Sequence, residues 1–97
     1  MTQINKTDLL EGKPQRILVG ETSVCVVKVK DEVFAVADTC SHAEASLSEG
    51  ETSDYKIECW LHGAEFDLRT GAAISLPATE ALETFTVIDN GDTVEIG

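Results

Sequence analysis

Polar and apolar residues alternate with a period of two near both ends of this chain. Over Thr22–Lys30 the alternation puts Ser23, Cys25, Val27 and Val29 on one face and Thr22, Val24, Val26, Lys28 and Lys30 on the other. The residue types there are largely β-branched, so a strand is expected. A shorter apolar run, Arg16–Val19, precedes it and stops at Gly20; Asp31-Glu32 is expected to turn the chain into a further strand, Val33–Ala37. Toward the C-terminus, Leu82–Asp89 and Asp92–Ile96 flank Asn90-Gly91. That dipeptide favours a type I′ hairpin, whose two central residues both need positive φ. Helical periodicity is confined to one possible turn near Thr7–Glu11. The pattern predicts an all-β fold.

Between these hairpins the character changes. Asp38–Gly50 and Trp60–Thr79 are rich in Gly, Ser, Thr, Ala and Pro, with only short apolar pieces such as Ile57 and Phe66 nearby. They read as loops carried by a β scaffold, a common way to present a functional site.

Length and composition narrow the class. Ninety-seven residues suit one domain, residues 1–97, and 42% apolar content can build a small core that is marginal without a staple such as a metal centre. No run approaches the roughly 18 apolar residues of a membrane span. The start, MTQINKTDLLEG, lacks a basic end followed by an apolar stretch, so a cytoplasmic location is expected. Three cysteines, an odd number, disfavour a disulfide framework and suit a reducing compartment. Eighteen acids against seven basic residues give a net charge of −11. Such a surface repels nucleic acid and anionic lipid, and a protein with a basic patch is its natural partner; solubility alone is the competing explanation.

The chemistry lies in one constellation: Cys40-Ser41-His42, sixteen residues, then Cys59-Trp60-Leu61-His62. Both histidines of the chain fall inside it. Thiolates suit iron–sulfur clusters and zinc, and imidazole suits several metals. Two short Cys/His pairs on separate loops can converge on one centre. Common zinc fingers run Cys-Cys-His-His with about 2–4 residues between the cysteines; here the order alternates and a single residue separates the first pair, which fits zinc poorly, though a Cys2His2 zinc site stays open on ligand type. A cysteine–histidine nucleophile would leave two of the four groups without a role. Two buried cysteines with two satisfied histidines are the structural alternative.

The spacing resembles the signature of Rieske proteins, whose [2Fe–2S] irons are shared between two cysteines and two histidines. The resemblance extends to His62-Gly63, Phe66-Asp67, Arg69-Thr70-Gly71, Pro77 and Glu80-Ala81-Leu82, and so covers most of the chain from Ala37 onward. It implies small antiparallel sheets in a sandwich-like arrangement with two cluster-binding loops at one end. It further implies one [2Fe–2S] cluster per chain, with Cys40 and Cys59 on the inner iron and His42 and His62 on the outer, exposed one. Leu76-Pro77 resembles the proline loop that shields the cluster. Neutral imidazoles in place of two thiolates remove two negative charges, which eases reduction and raises the potential.

Departures from the pattern are informative. Rieske subunits of respiratory and photosynthetic complexes carry an extra cysteine in each cluster loop; Ala45 and Leu61 stand there, so that disulfide is absent. The same relatives place a serine and a tyrosine where this chain has Ala64 and Phe66, which cannot donate hydrogen bonds to sulfur. The potential is therefore expected near the lower end of the Rieske range, roughly −150 mV, in keeping with the soluble ferredoxin branch. Cys25, mid-strand beside Val27 and Val29, reads as a small buried hydrophobe. Trp60 is expected to pack over its loop or to meet a partner.

The resemblance implies a monomeric electron carrier, not an enzyme, that passes single electrons from a flavin-dependent NAD(P)H ferredoxin reductase to a terminal non-heme iron, ring-hydroxylating oxygenase. A mononuclear iron site of its own would need two further histidines and a carboxylate. Another acceptor, such as a monooxygenase or an iron–sulfur assembly system, is equally compatible with the residues; a zinc-binding module is the reading from another class.

Overall fold

The computed structural model describes residues 2–39, 46–59, 64–74 and 81–97. Nine strands run in chain order: β1 (Thr2–Asn5), β2 (Gln15–Val19), β3 (Thr22–Val29), β4 (Glu32–Ala37), β5 (Glu51–Ser53), β6 (Lys56–Glu58), β7 (Glu65–Asp67), β8 (Val87–Asp89) and β9 (Thr93–Ile96). They form three antiparallel three-stranded sheets, ordered β1-β9-β8, β2-β3-β4 and β5-β6-β7. The all-β expectation is borne out, and no described helix is long and apolar enough to cross a membrane.

The β2-β3-β4 sheet is the common wall. Its register pairs Cys25 with Val36 and Val26 with Ala35, so alternation sends successive residues to opposite faces. One face, with Cys25, Val27, Val29 and Val36, packs against Leu47, Ile57, Cys59, Ala64, Phe66 and Leu68. The other, with Val24, Val26, Val33 and Ala35, packs against Leu9, Val94 and Ile96. Strand β3 is buried on both faces, which explains its near-continuous apolar sequence.

Several boundaries differ from the pattern reading. The segment read as one strand over Leu82–Asp89 is a strand only from Val87; before that, Thr84 makes a single bridge to Val36. The single turn read near Thr7–Glu11 is a 3-10 turn over Lys6–Asp8. At the C-terminal hairpin Gly91 takes φ +93 while Asn90 stays at negative φ, so only one of the two positive angles of a type I′ turn is present. The paired positive angles occur at Lys30 and Asp31 (φ 50 and 68), one residue before the expected turn at Asp31-Glu32. Contacts hold that glycine-free turn in place. The Glu11 carboxylate accepts the Lys30 amide N–H at 2.8 Å, and Asp31 lies 3.4 Å from the Lys6 ammonium. Lys6 is itself largely buried and donates to Asp89 at 2.7 Å, which raises its pKa above the ordinary lysine value against the opposing effect of burial. It thereby joins the terminal sheet to the β3–β4 turn.

The sheet β5-β6-β7 has no counterpart in the sequence reading. Each of its strands has three residues, and only Ile57 and Phe66 are fully buried within them. Two such residues, registered opposite each other, hold the sheet to the wall, each contributing roughly 1.5–3 kcal/mol by burial.

Gly50 makes the closest approach in this region: a Cβ there would lie 1.9 Å from the Glu58 carbonyl oxygen. Gly20, at φ +65, has open space around it, so a side chain there meets only backbone strain. Gly50→Ala should therefore cost roughly 2–4 kcal/mol and Gly20→Ala about 1 kcal/mol. Thermal unfolding should register losses in Tm of about 10 °C or more for the first and about 4–8 °C for the second.

Candidate metal centre

The segments that carry the Cys/His constellation follow β4 and β6 along the chain. Beyond β6, the Cys59 amide N–H donates to the Ala64 carbonyl at 2.7 Å, closing the β6–β7 hairpin around residues 60–63. Beyond β4, Thr39 and Ser46 form an antiparallel bridge around residues 40–45. A third segment leaves at Ile74, whose N–H donates to the Glu65 carbonyl at 2.8 Å, and returns before Leu82, whose N–H donates to the Gly71 carbonyl at 2.7 Å. Gly71 sits at φ +78, and a Cβ there would meet the Leu82 oxygen at 2.3 Å, so only glycine fits.

Of the four candidate ligands, Cys59 lies among the described residues. Cys40, His42 and His62 fall outside them, as do Ala45, Trp60, Leu61 and Leu76-Pro77. Cys59 is fully buried and unpaired. Strand alternation places it with Ile57 on the core side, opposite Ala64 and diagonal to Phe66, both also fully buried. A free thiol at the foot of a loop, walled by apolar groups and with no disulfide partner, has the chemistry of an inner soft ligand. The one described donor, a buried free thiol, suits the soft ligation of an iron–sulfur centre. Cys25 differs. It sits mid-strand in the wall, and burial, helped by the Asp38 charge, pushes its thiol far above the ordinary range, leaving it protonated and inert.

The first loop is held by a carboxylate. Asp38 is 3% exposed, unusual for a carboxylate. Its Oδ2 accepts the Ser46 hydroxyl at 2.5 Å and its Oδ1 accepts the Ser48 amide N–H at 2.9 Å, while its own carbonyl accepts the Leu47 N–H at 2.6 Å. The half-exposed Arg16 guanidinium, donating to Ser23 Oγ, stands 3.7 Å from Oδ2. Sequence reasoning passed over Ser46, Ser48 and Gly50; serines in a polar loop give no periodic signal, and the glycine's role depends on a contact with β6.

Three small antiparallel sheets, with a buried free thiol just beyond β6, form the described frame around the Cys/His segments. Comparison with known proteins gives the class. Residues 1–86 match the family model of the Rieske [2Fe–2S] domain. The chain is 47% identical over 87 residues to the ferredoxin component of biphenyl 2,3-dioxygenase from Rhodococcus jostii (strain RHA1), covering 90% of this chain and 81% of that one. Among solved structures, the ferredoxin of carbazole 1,9a-dioxygenase from Nocardioides aromaticivorans IC177 superposes with a TM-score of 0.94 at 34% identity, covering 97% of this chain and 92% of that one. A complex of reduced oxygenase and oxidized ferredoxin in carbazole 1,9a-dioxygenase contains a chain matching with a TM-score of 0.90 at 36% identity, each chain being 96% covered. The chain belongs to the Rieske [2Fe–2S] domain family and holds one [2Fe–2S] cluster.

Ala64 and Phe66 supply no hydrogen-bond donor on the face they share with Cys59. Ala64→Ser with Phe66→Tyr should raise the midpoint potential by tens of millivolts, a one-electron tenfold being about 59 mV. Protein-film voltammetry of the double variant checks the direction; an unchanged potential would place both side chains out of reach of the cluster sulfurs.

Proposed function

We propose that this chain is a one-domain, monomeric carrier of single electrons in a multicomponent ring-hydroxylating oxygenase system. In this reading it accepts electrons from a flavin-dependent NAD(P)H ferredoxin reductase, passes them to a terminal oxygenase, and catalyses no reaction itself. The observation that carries the reading is the buried, unpaired Cys59, in one core with Leu47 just past the 40–45 segment, in a chain whose family holds a [2Fe–2S] cluster. Cys40 and Cys59 are assigned to the inner iron, His42 and His62 to the outer. When bound, the group supplies a single low-energy orbital set that takes up and releases one electron.

The protein's own residues do the rest. Apolar Ala64, Phe66, Leu47 and Ile57 exclude water from the inner side, which limits reorganisation when charge changes. The backbone closures at Thr39/Ser46 and Cys59/Ala64 fix where the loops start and end. A ferredoxin chain of the same fold, 36% identical, occurs in complex with its oxygenase, which supports an oxygenase as acceptor. Unpaired Cys25 and Cys59 suit a reducing cytoplasm, and the net charge of −11 disfavours nucleic acid and anionic membrane as partners.

Purified holoprotein should be red-brown with about two irons and two labile sulfides per chain. Its reduced form should give the low-average-g EPR signal of mixed His/Cys ligation. His42→Ala or His62→Ala should abolish that signal, and Cys25→Ser should retain it. Colourless protein containing one zinc would overturn the reading.

Charge on the loop-bearing sheet favours a basic partner. The register sets Glu51 opposite Glu58 and Glu58 opposite Glu65 on the side of the sheet away from the core, with exposed Glu49 and Asp54 nearby. Rows of like charge across a sheet oppose folding and strengthen attraction to a cationic surface. Stopped-flow reduction by the cognate reductase should slow steeply as salt rises, because the Debye length falls from about 10 Å at 0.1 M to about 3 Å at 1 M. Glu49→Lys or Glu58→Lys should lower the association rate with little change in potential. A rate flat across that salt range would assign these acids to solubility alone.

A further inference from the structure

Neither the family nor the ligand pattern assigns a role to Asp38, yet it is the most heavily bonded buried carboxylate among the described residues. It precedes the first ligand loop, and its two side-chain hydrogen bonds and its carbonyl reach residues that follow that loop, while Arg16 stands 3.7 Å from Oδ2. Ser46, Leu47 and Ser48 are tied to its Oδ2, carbonyl and Oδ1 respectively. The start is fixed as well: the Asp38 N–H donates to the Ser23 carbonyl at 3.2 Å, locking it to the wall sheet. One residue therefore fastens both ends of segment 40–45. Beyond Ser48 the chain reaches Gly50, pressed against the Glu58 carbonyl next to Cys59. Hydrogen bonds thus run from the wall through Asp38 to Ser48, and two residues on the chain passes close to β6, just before Cys59.

We propose that Asp38 is a positioning residue for the cluster, setting the separation of the Cys40–His42 loop from Cys59. The inference rests on the ligand assignment proposed above. A surface acid could not serve this way, since water would compete for its lone pairs; at 3% exposure its oxygens are committed to Ser46 and Ser48, with Arg16 at 3.7 Å from Oδ2. Ser46 is bonded also to Ser48 Oγ at 2.7 Å, so the clamp is a small network and its loss should be graded.

The test uses holoprotein and three variants. Asp38→Ala removes both side-chain anchors and should speed bleaching of the oxidised cluster under a chelator roughly tenfold or more; Ser46→Ala removes one and should speed it roughly two- to fivefold. Asp38→Ala should also broaden and shift the EPR g-values of the reduced form. Asp38→Asn is near-isosteric: its oxygen can accept from Ser48 N–H and its amide can donate to Ser46 Oγ, so bleaching and line shape should return close to wild type. Val94→Ala, in the core on the far face of the wall, should lower the melting temperature while leaving bleaching and g-values unchanged, separating general destabilisation from positioning. A normal wild-type signal with unchanged bleaching and line shape in Asp38→Ala overturns the proposal alone. So does a Val94→Ala variant that alters both as strongly. Wild-type holoprotein lacking the low-average-g signal overturns the ligand assignment and the proposal with it.

Discussion

The burial of β3 on both faces is the constraint on which the molecule depends. Val24 and Val26 fill one core and Cys25, Val27 and Val29 the other. A small chain that must hold a metal group cannot assemble one large core around it. Here two modest cores share a wall, so the terminal sheet stabilises the molecule from behind while the loop-bearing sheet is built in front. Cys25 belongs to this arrangement. Its thiol is a volume-filling group in the wall, and the same burial that makes it useful there keeps it protonated.

The layout also divides tasks among charges. Lys6, with Asp89 and Asp31, secures the side of the wall away from the loops. Tyr55, in the β5–β6 turn, meets Phe34 edge-on at 5.7 Å and is flanked by Lys30 and Arg69 at 5.5 and 4.8 Å from its ring. Arg69 in turn pairs with Asp67 at 3.1 Å, an interaction that lowers the Asp67 pKa and raises its own. These cations brace turns through stacking and pairing.

How far the sequence disclosed this depended on the length of each signal. Thr22–Val29 and Glu32–Ala37 are long enough for alternation to show, and both strands lie within about one residue of the pattern reading. The three-residue strands β5, β6 and β7 carry too few apolar positions for any period to register, so a segment read as loops contains a sheet. At Asn90-Gly91 the local preference for a type I′ turn gave way to a turn with one positive φ, whereas Lys30-Asp31 adopts two positive angles because Glu11 and Lys6 hold it. For the candidate site, the Cys/His spacing was legible as a pattern because paired soft and imidazole ligands at short intervals are uncommon by chance, and of its four members Cys59 is described. The supports were not: Asp38 looks like any surface acid until Ser46 and Ser48 fold back onto it.

The row Glu51, Glu58 and Glu65 has a consequence for the protein's encounters with itself. A carrier present in many copies can exchange electrons between identical molecules, which moves no charge toward an acceptor. Two copies approaching through their loop-bearing sheets would bring matching carboxylate rows together, on molecules that each carry eleven negative charges in excess. Like-charge repulsion opposes such meetings, so the same acids favour approach by surfaces of opposite sign over a second copy of the chain.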